Sequence, residues 1–103
     1  MNMIAREQPF EVLVPINLIY PDAKNAENEQ IILQGIIDCW FIEGDEIVLV
    51  DYKTDSFSDI SEIHEKYDRQ LELYAYALHK MTEKNIKSKN IYLFSANRVV
   101  QCQ

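Results

Sequence analysis

Residues 43–55 read Glu43-Gly44-Asp45-Glu46-Ile47-Val48-Leu49-Val50-Asp51-Tyr52-Lys53-Thr54-Asp55. The aliphatic run Ile47-Val48-Leu49-Val50 has the length of a strand, and it is apolar enough to be buried on both faces. An acid, an aromatic, a base and a second acid follow at once. Charged groups at the rim of a core are costly unless they meet an ion, a substrate or each other. Gly44-Asp45 stands between two apolar runs, residues 30–42 and 47–53, which is the signal of a two-residue hairpin turn.

That turn carries a geometric consequence. If Gly44 and Asp45 are its two residues, Glu43 faces Glu46, and the same register sets Asp38 opposite Asp51. Directly opposed residues hold their Cβ atoms about 4.5–5.5 Å apart on one face of a sheet. The strand period of two puts Lys53 on the face of Asp51. Two carboxylates and an ammonium then converge, and the two acids require a shared proton or a cation between them. A three-residue loop would break the register.

Upstream, residues 9–20 read as an extended segment in which Phe10, Val12 and Val14 alternate, with Pro15 limiting it to an edge or a break. Residues 21–29 are polar and turn-rich, a surface connection. Gly35, inside the second strand, marks a bulge or a close backbone approach. Downstream, residues 54–60 form a loop. A long helix is predicted from Ser61 to Lys84, capped by Ser58 or Ser61, with Glu62 and Glu65 early enough to suit the helix dipole. Ile63, Tyr67, Gln70, Leu71, Tyr74, Ala77, Leu78 and Met81 recur at three- and four-residue steps, so this stripe faces the sheet. Residues 85–90 read as a basic, polar loop, residues 91–95 as a fourth strand, and Val99-Val100 as a short fifth. The sum is an α+β domain: a mixed, mostly antiparallel sheet of about four strands flanked by one long helix.

The chain has 103 residues, the size of one small domain spanning residues 1–103. Its formal net charge is −7, which argues against nucleic-acid binding through Lys and Arg alone. Clustered carboxylates that hold a cation are the exception, because the cation then meets the phosphate. Met1 to Gln8 contains no apolar run, so no secretion signal is expected, and no stretch is long enough to span a membrane. Cys39 and Cys102 make neither a disulfide framework nor a paired metal motif, which fits free thiols in a cytoplasm.

Asp38, then Asp51-x-Lys53 on the neighbouring strand, then a helix carrying Tyr67-x-x-Gln70, resembles the PD-(D/E)XK nuclease superfamily. The closer likeness is to RecB-type nuclease domains, and within them to the C-terminal nuclease domain of AddA-type helicase–nuclease subunits. It rests on Gly35 to Asp38 (GIID), Leu49 to Asp55 (LVDYKTD) and Tyr67 to Leu78 (YDRQLELYAYAL), and extends from about Arg6 to Ser95. The resemblance implies a restriction-endonuclease-like core and Mg²⁺-dependent (or Mn²⁺-dependent) hydrolysis of DNA by an exonuclease module. That module would act in the repair of double-strand breaks, in a bacterial cytoplasm. It implies Asp38 and Asp51 as metal ligands, with the backbone carbonyl of Tyr52 as a third. Lys53 would orient water or stabilise developing charge, and Gln70 and Tyr67 would support the site. Implied partners are single-stranded DNA, a helicase region of the same protein and a second helicase–nuclease subunit. RecB-type domains carry a further site residue, commonly a His, on a helix before the first strand. This chain begins after that point, so it reads as a fragment of a larger protein whose activity in isolation is in question. Two cysteines are too few for the iron–sulfur cluster of some relatives.

Ordinary explanations stand beside these roles. Asp51 and Lys53 alone would form a strand-end ion pair. Tyr67 and Tyr74 fit core aromatics with wet hydroxyls as well as functional groups. Thr54 and Asp55 suit a loop, His64 and His79 a solvated helix face, and the segment from Lys80 to Lys89 a solvated surface. Trp40 is most simply core and Cys39 a buried thiol facing away from Asp38. Two other functions fit the same residues: a non-catalytic module that binds DNA or a partner, and a stand-alone restriction- or phage-type nuclease.

Overall fold

The computed structural model describes residues 2–22 and 29–102, with side chains from Ala5 onward. Five strands and one long helix make up the fold, in the order β1 (Asn2–Pro15), α1 (Ile16–Ile19), β2 (Gln30–Glu43), β3 (Glu46–Lys53), α2 (Ile60–Thr82), β4 (Ile86–Leu93) and β5 (Arg98–Cys102). The sheet order is β1-β2-β3-β4-β5. Only β3 and β4 run parallel, and α2 is the crossover that a parallel neighbour requires. The mixed, mostly antiparallel α+β sheet expected from the sequence is present, with a full fifth strand in place of a two-residue one.

The hairpin between β2 and β3 turns on Gly44 and Asp45. Gly44 has φ 66°, and Asp45 does not share its positive φ, which is the pattern of a type II′ turn. Glu43 pairs with Glu46, and the ladder continues in that register to Cys39 opposite Val50. Leu49 from β3 and Ile91 and Leu93 from β4 are buried together with Ile63, Leu71, Ala75 and Leu78 from α2. Apolar residues at four-residue steps give α2 one buried stripe, and the β-strand period gives the sheet its matching face. On the sheet's other face lies a groove of about 790 Å³ lined by Phe41, Val48, Val50, Tyr52, Tyr92 and Phe94 among others.

Several sequence expectations need correction. The first strand starts at Asn2, not Pro9, and ends at Pro15, after which residues 16–19 make one helical turn. Its Glu7 has φ 49° and its pairing slips between Met3 and Ala5, so an irregular edge strand hid its alternation. Residues 86–90 are not a loop but the start of β4. Their polar side chains find partners: Lys87 pairs with Glu43, and Asn90 Nδ2 donates to the Leu49 carbonyl at 3.2 Å. Asp59, not Ser58 or Ser61, caps α2, its carboxylate accepting the Ser61 N–H at 3.1 Å. The helix ends with Glu83 left-handed at φ 62°, its N–H donating to the His79 carbonyl. Met81 is exposed, and Ala75 takes the buried place beside Leu71. Of the predicted connection over residues 21–29, residues 23–28 lie outside the described residues.

Gly35 is a close-approach glycine. A Cβ there would lie 3.0 Å from the Tyr74 hydroxyl and 3.1 Å from the Phe10 ring. Phe10 and Tyr74 meet edge-on with centroids 5.2 Å apart, so neither ring is free to withdraw without losing the other. Gly35→Ala should therefore destabilise the fold by about 1–2 kcal/mol, despite the entropy that alanine removes from the unfolded chain. Urea unfolding measures this, and an unchanged midpoint would mean that the contact yields freely.

Candidate active site

The site lies where β2 and β3 stop pairing. Their backbone ladder ends at Cys39 and Val50. At the next position the Asp38 carboxylate takes over, accepting the Tyr52 N–H through Oδ2 at 2.9 Å. A side chain thus stands in for a backbone carbonyl, and Asp38 is fixed against the strand that carries Asp51. A strand residue's N–H and C=O point to the same side, so the Tyr52 carbonyl also faces this gap.

Asp51 is 3% exposed, the sole acid among the buried residues of the described chain. Lys53 Nζ lies 2.8 Å from its Oδ2. The approach is close enough for an ion pair but not aligned as a hydrogen bond, so Oδ2 has no directed donor. Burial raises the Asp51 carboxyl most, the Asp38 side chain beside it raises it further, and Lys53 opposes both. The result is a pKa pushed from 3.8 to about 6. For Lys53, burial works against the charge, but the neighbouring Asp51 carboxylate outweighs it and the ammonium is held above its ordinary range.

Helix α2 supplies the cover. Gln70 Oε1 accepts from Lys53 Nζ at 3.3 Å, while Gln70 Nε2 donates to the Tyr74 hydroxyl at 3.2 Å. Lys53 Nζ also sits 4.5 Å from the centroid of the Tyr67 ring, a cation–π contact. An amide inside an apolar stripe has its reason here: it spends both polar ends on the site. The Tyr67 hydroxyl points away, donating to Asp55 Oδ2 at 2.7 Å, and Lys66 Nζ reaches the same oxygen at 2.9 Å. Asp55 therefore anchors the loop after β3 to α2, a link that the sequence left as loop chemistry. Ser95 adds a second tie, its hydroxyl donating to the Asp55 carbonyl at 2.8 Å.

Asp38, Asp51, Lys53, Gln70 and Tyr67 are thus gathered at one strand end. The available donor set is oxygen: two carboxylates and one main-chain carbonyl. Such a set suits a hard cation such as Mg²⁺ or Mn²⁺ and not a thiophilic one. A buried carboxylate oxygen without a directed donor, facing a second carboxylate, fits that ion. In its absence Lys53 supplies the compensating charge. Cys39 is buried, and its thiol lies against the Tyr52 side chain, apart from Asp38. Trp40 is core, its Nε1 without a hydrogen-bond partner among the described residues.

Comparison with known proteins agrees with this geometry. Residues 2–101 match the family model of the PD-(D/E)XK nuclease superfamily. An ATP-dependent helicase/nuclease subunit of the AddA type from Clostridium botulinum strain Okra is 43% identical over 97% of this chain. The protein of the same name from Ruminiclostridium cellulolyticum is 41% identical over 95% of it. In both cases the match covers 8% of the relative, so the chain spans less than a tenth of the length of these proteins. Family match, relatives and site geometry converge: the chain belongs to the PD-(D/E)XK nuclease superfamily.

Proposed function

We propose that this chain is the nuclease module of a helicase–nuclease and hydrolyses DNA phosphodiesters with a divalent cation held by Asp38, Asp51 and the Tyr52 carbonyl. The observation that carries the proposal is the buried Asp51 carboxylate facing Asp38 beside Lys53, 2.8 Å away. Two acids at this distance need a counter-charge, and a nuclease of this superfamily uses a divalent metal for it. The bound cation would neutralise charge at the scissile phosphate and promote ionisation of a water. Asp51 and Asp38 set its position from two strands. Lys53 is kept charged by Asp51 and aimed by Gln70 and Tyr67, ready to orient the attacking water or to stabilise the charge that develops on the phosphate. Gln70 and Tyr67 are positioning residues, since both act through Lys53.

The name shared by the relatives supports a helicase in the same longer protein, with single-stranded DNA from the unwound duplex as substrate. Exonuclease action in double-strand-break repair, partnership with a second helicase–nuclease subunit, and a bacterial cytoplasm belong to the same proposal. So does a further site residue from a helix preceding β1 in the longer chain. Mg²⁺ is the cation proposed, with Mn²⁺ as the substitute. Among the described residues no helix is long and apolar enough to cross a membrane.

The cleavage test uses the full-length helicase–nuclease that contains this chain, with single-stranded DNA and Mg²⁺. Asp51→Ala and Lys53→Ala should each lower cleavage at least about 100-fold while leaving ATP hydrolysis intact. Undiminished cleavage in either variant would remove these residues from the mechanism. Loss of cation binding without any measurable wild-type cleavage would favour a non-catalytic nuclease-like module instead.

The same site gives a pH dependence. Asp51 titrates near 6 in the folded chain against 3.8 ordinarily, so the folded state holds the extra proton between those values. Stability is then full below pH 4 and falls by about 3 kcal/mol as pH rises through 6. Saturating Mg²⁺ should abolish that fall, because the cation replaces the proton. Denaturant titrations at pH 4 and pH 7, with and without Mg²⁺, check it. A metal-free chain equally stable at both values would rule out a strained Asp38–Asp51 pair.

A further inference from the structure

A second group of ligand-type side chains lies away from the Asp38–Asp51 pair and takes no part in the proposed mechanism. His64 Nδ1 sits 2.9 Å from Asp68 Oδ1, and one ligand atom from each of His64, Asp68 and Cys102 falls within 4.8 Å of the other two. The topology explains the meeting. His64 and Asp68 are one turn apart on α2, so they share a face of the helix. Cys102 closes β5, the edge strand next to β4, and is turned inward like Val100 two residues before it. Burial keeps the Cys102 thiol protonated up to about 12, with the Asp68 carboxylate beside it as the next cause. Lys89, opposite Cys102 on β4, works the other way and favours the thiolate.

The donor chemistry separates this cluster from the first site. Asp38, Asp51 and a carbonyl offer only oxygen, whereas His64, Asp68 and Cys102 offer one nitrogen, one oxygen and one sulfur. Thiolate and imidazole select Zn²⁺-like cations over Mg²⁺. His64 and Asp68 remain partly exposed, so an ion has a path in, while Cys102 is buried beneath them.

We propose that His64, Asp68 and Cys102 form a second metal site, which takes one Zn²⁺-class cation and fastens the first turns of α2 to β5. On binding, the Cys102 S–H bond breaks, sulfur keeps the electron pair for the cation, and the proton leaves to solvent. The cation replaces the His64–Asp68 hydrogen bond and takes the Nδ1 lone pair of neutral imidazole. Three protein ligands leave a fourth tetrahedral position to water. The ion would also hold the stretch of α2 that carries Tyr67 and Gln70 in place.

Co²⁺ reports on thiolate ligation directly. Titrating the chain with Co²⁺ should give a thiolate-to-cobalt charge-transfer absorption that saturates at one equivalent, is erased by Zn²⁺ and survives excess Mg²⁺. Cys102→Ser should abolish the band, His64→Gln should weaken binding at least about 10-fold, and Asp38→Asn should leave it unchanged. Saturating Zn²⁺ should raise the Tm of the wild-type chain by about 10 °C and that of Cys102→Ser by none. If Cys102→Ser does not fold by circular dichroism, His64→Gln, altered at a half-exposed position, carries the same comparison. No charge-transfer band in the folded wild type would overturn the site. So would a band that survives Cys102→Ser, which would move the ligation to Cys39, or one that requires Asp38.

Discussion

One buried carboxylate organises this molecule. Asp51 ends a strand whose other inward residues are aliphatic, and it is shielded from water almost completely. A carboxylate in that place is tolerable only if the neighbours compensate it, and each neighbour is held by a different element. Lys53 comes from the same strand, two residues on. Asp38 comes from the far side of a hairpin, where the ladder has just ended. Gln70 and Tyr67 come from the helix laid across the sheet. Removing any of these elements would strand a charge, so the site and the fold constrain each other.

The parting of β2 and β3 is the second constraint. If the ladder continued past Cys39, the Tyr52 N–H would be used by backbone and Asp38 would be one more cross-strand side chain. Instead the Asp38 carboxylate fills that hydrogen-bonding role, which ties its position to the backbone of the Asp51 strand. The compensation is incomplete by design of the geometry: Lys53 approaches Asp51 closely without a directed hydrogen bond. Such an arrangement is poised to accept a stronger counter-charge. A net charge of −7 is no obstacle to meeting DNA if that counter-charge is a metal ion.

Much of the site was legible because it depends on local rules. A two-residue turn at Gly44-Asp45 and the strand period of two were enough to bring Asp38 toward Asp51 and Lys53. A polar residue in an apolar helical stripe was enough to single out Gln70. Other features were not legible because they depend on partners far along the chain. Lys87, Ser88, Lys89 and Asn90 look like a loop until β3, Glu43 and the Leu49 carbonyl are seen to receive them. The irregular register of β1 erased its alternation, and the Asp55–Tyr67–Lys66 link joins a loop to a helix with no sequence signature. Cys102 near His64 and Asp68 is the same kind of case: three ligand types widely separated in sequence, brought together only by the docking of α2 on β5.

The most direct measurement is a crystal of the chain soaked with Mn²⁺, read by anomalous scattering. The expected result is a peak between the carboxylates of Asp38 and Asp51, with the Lys53 ammonium withdrawn from its 2.8 Å contact with Asp51. A saturated crystal with no peak there, and with Lys53 still against Asp51, would contradict the metal-dependent nuclease centre proposed here.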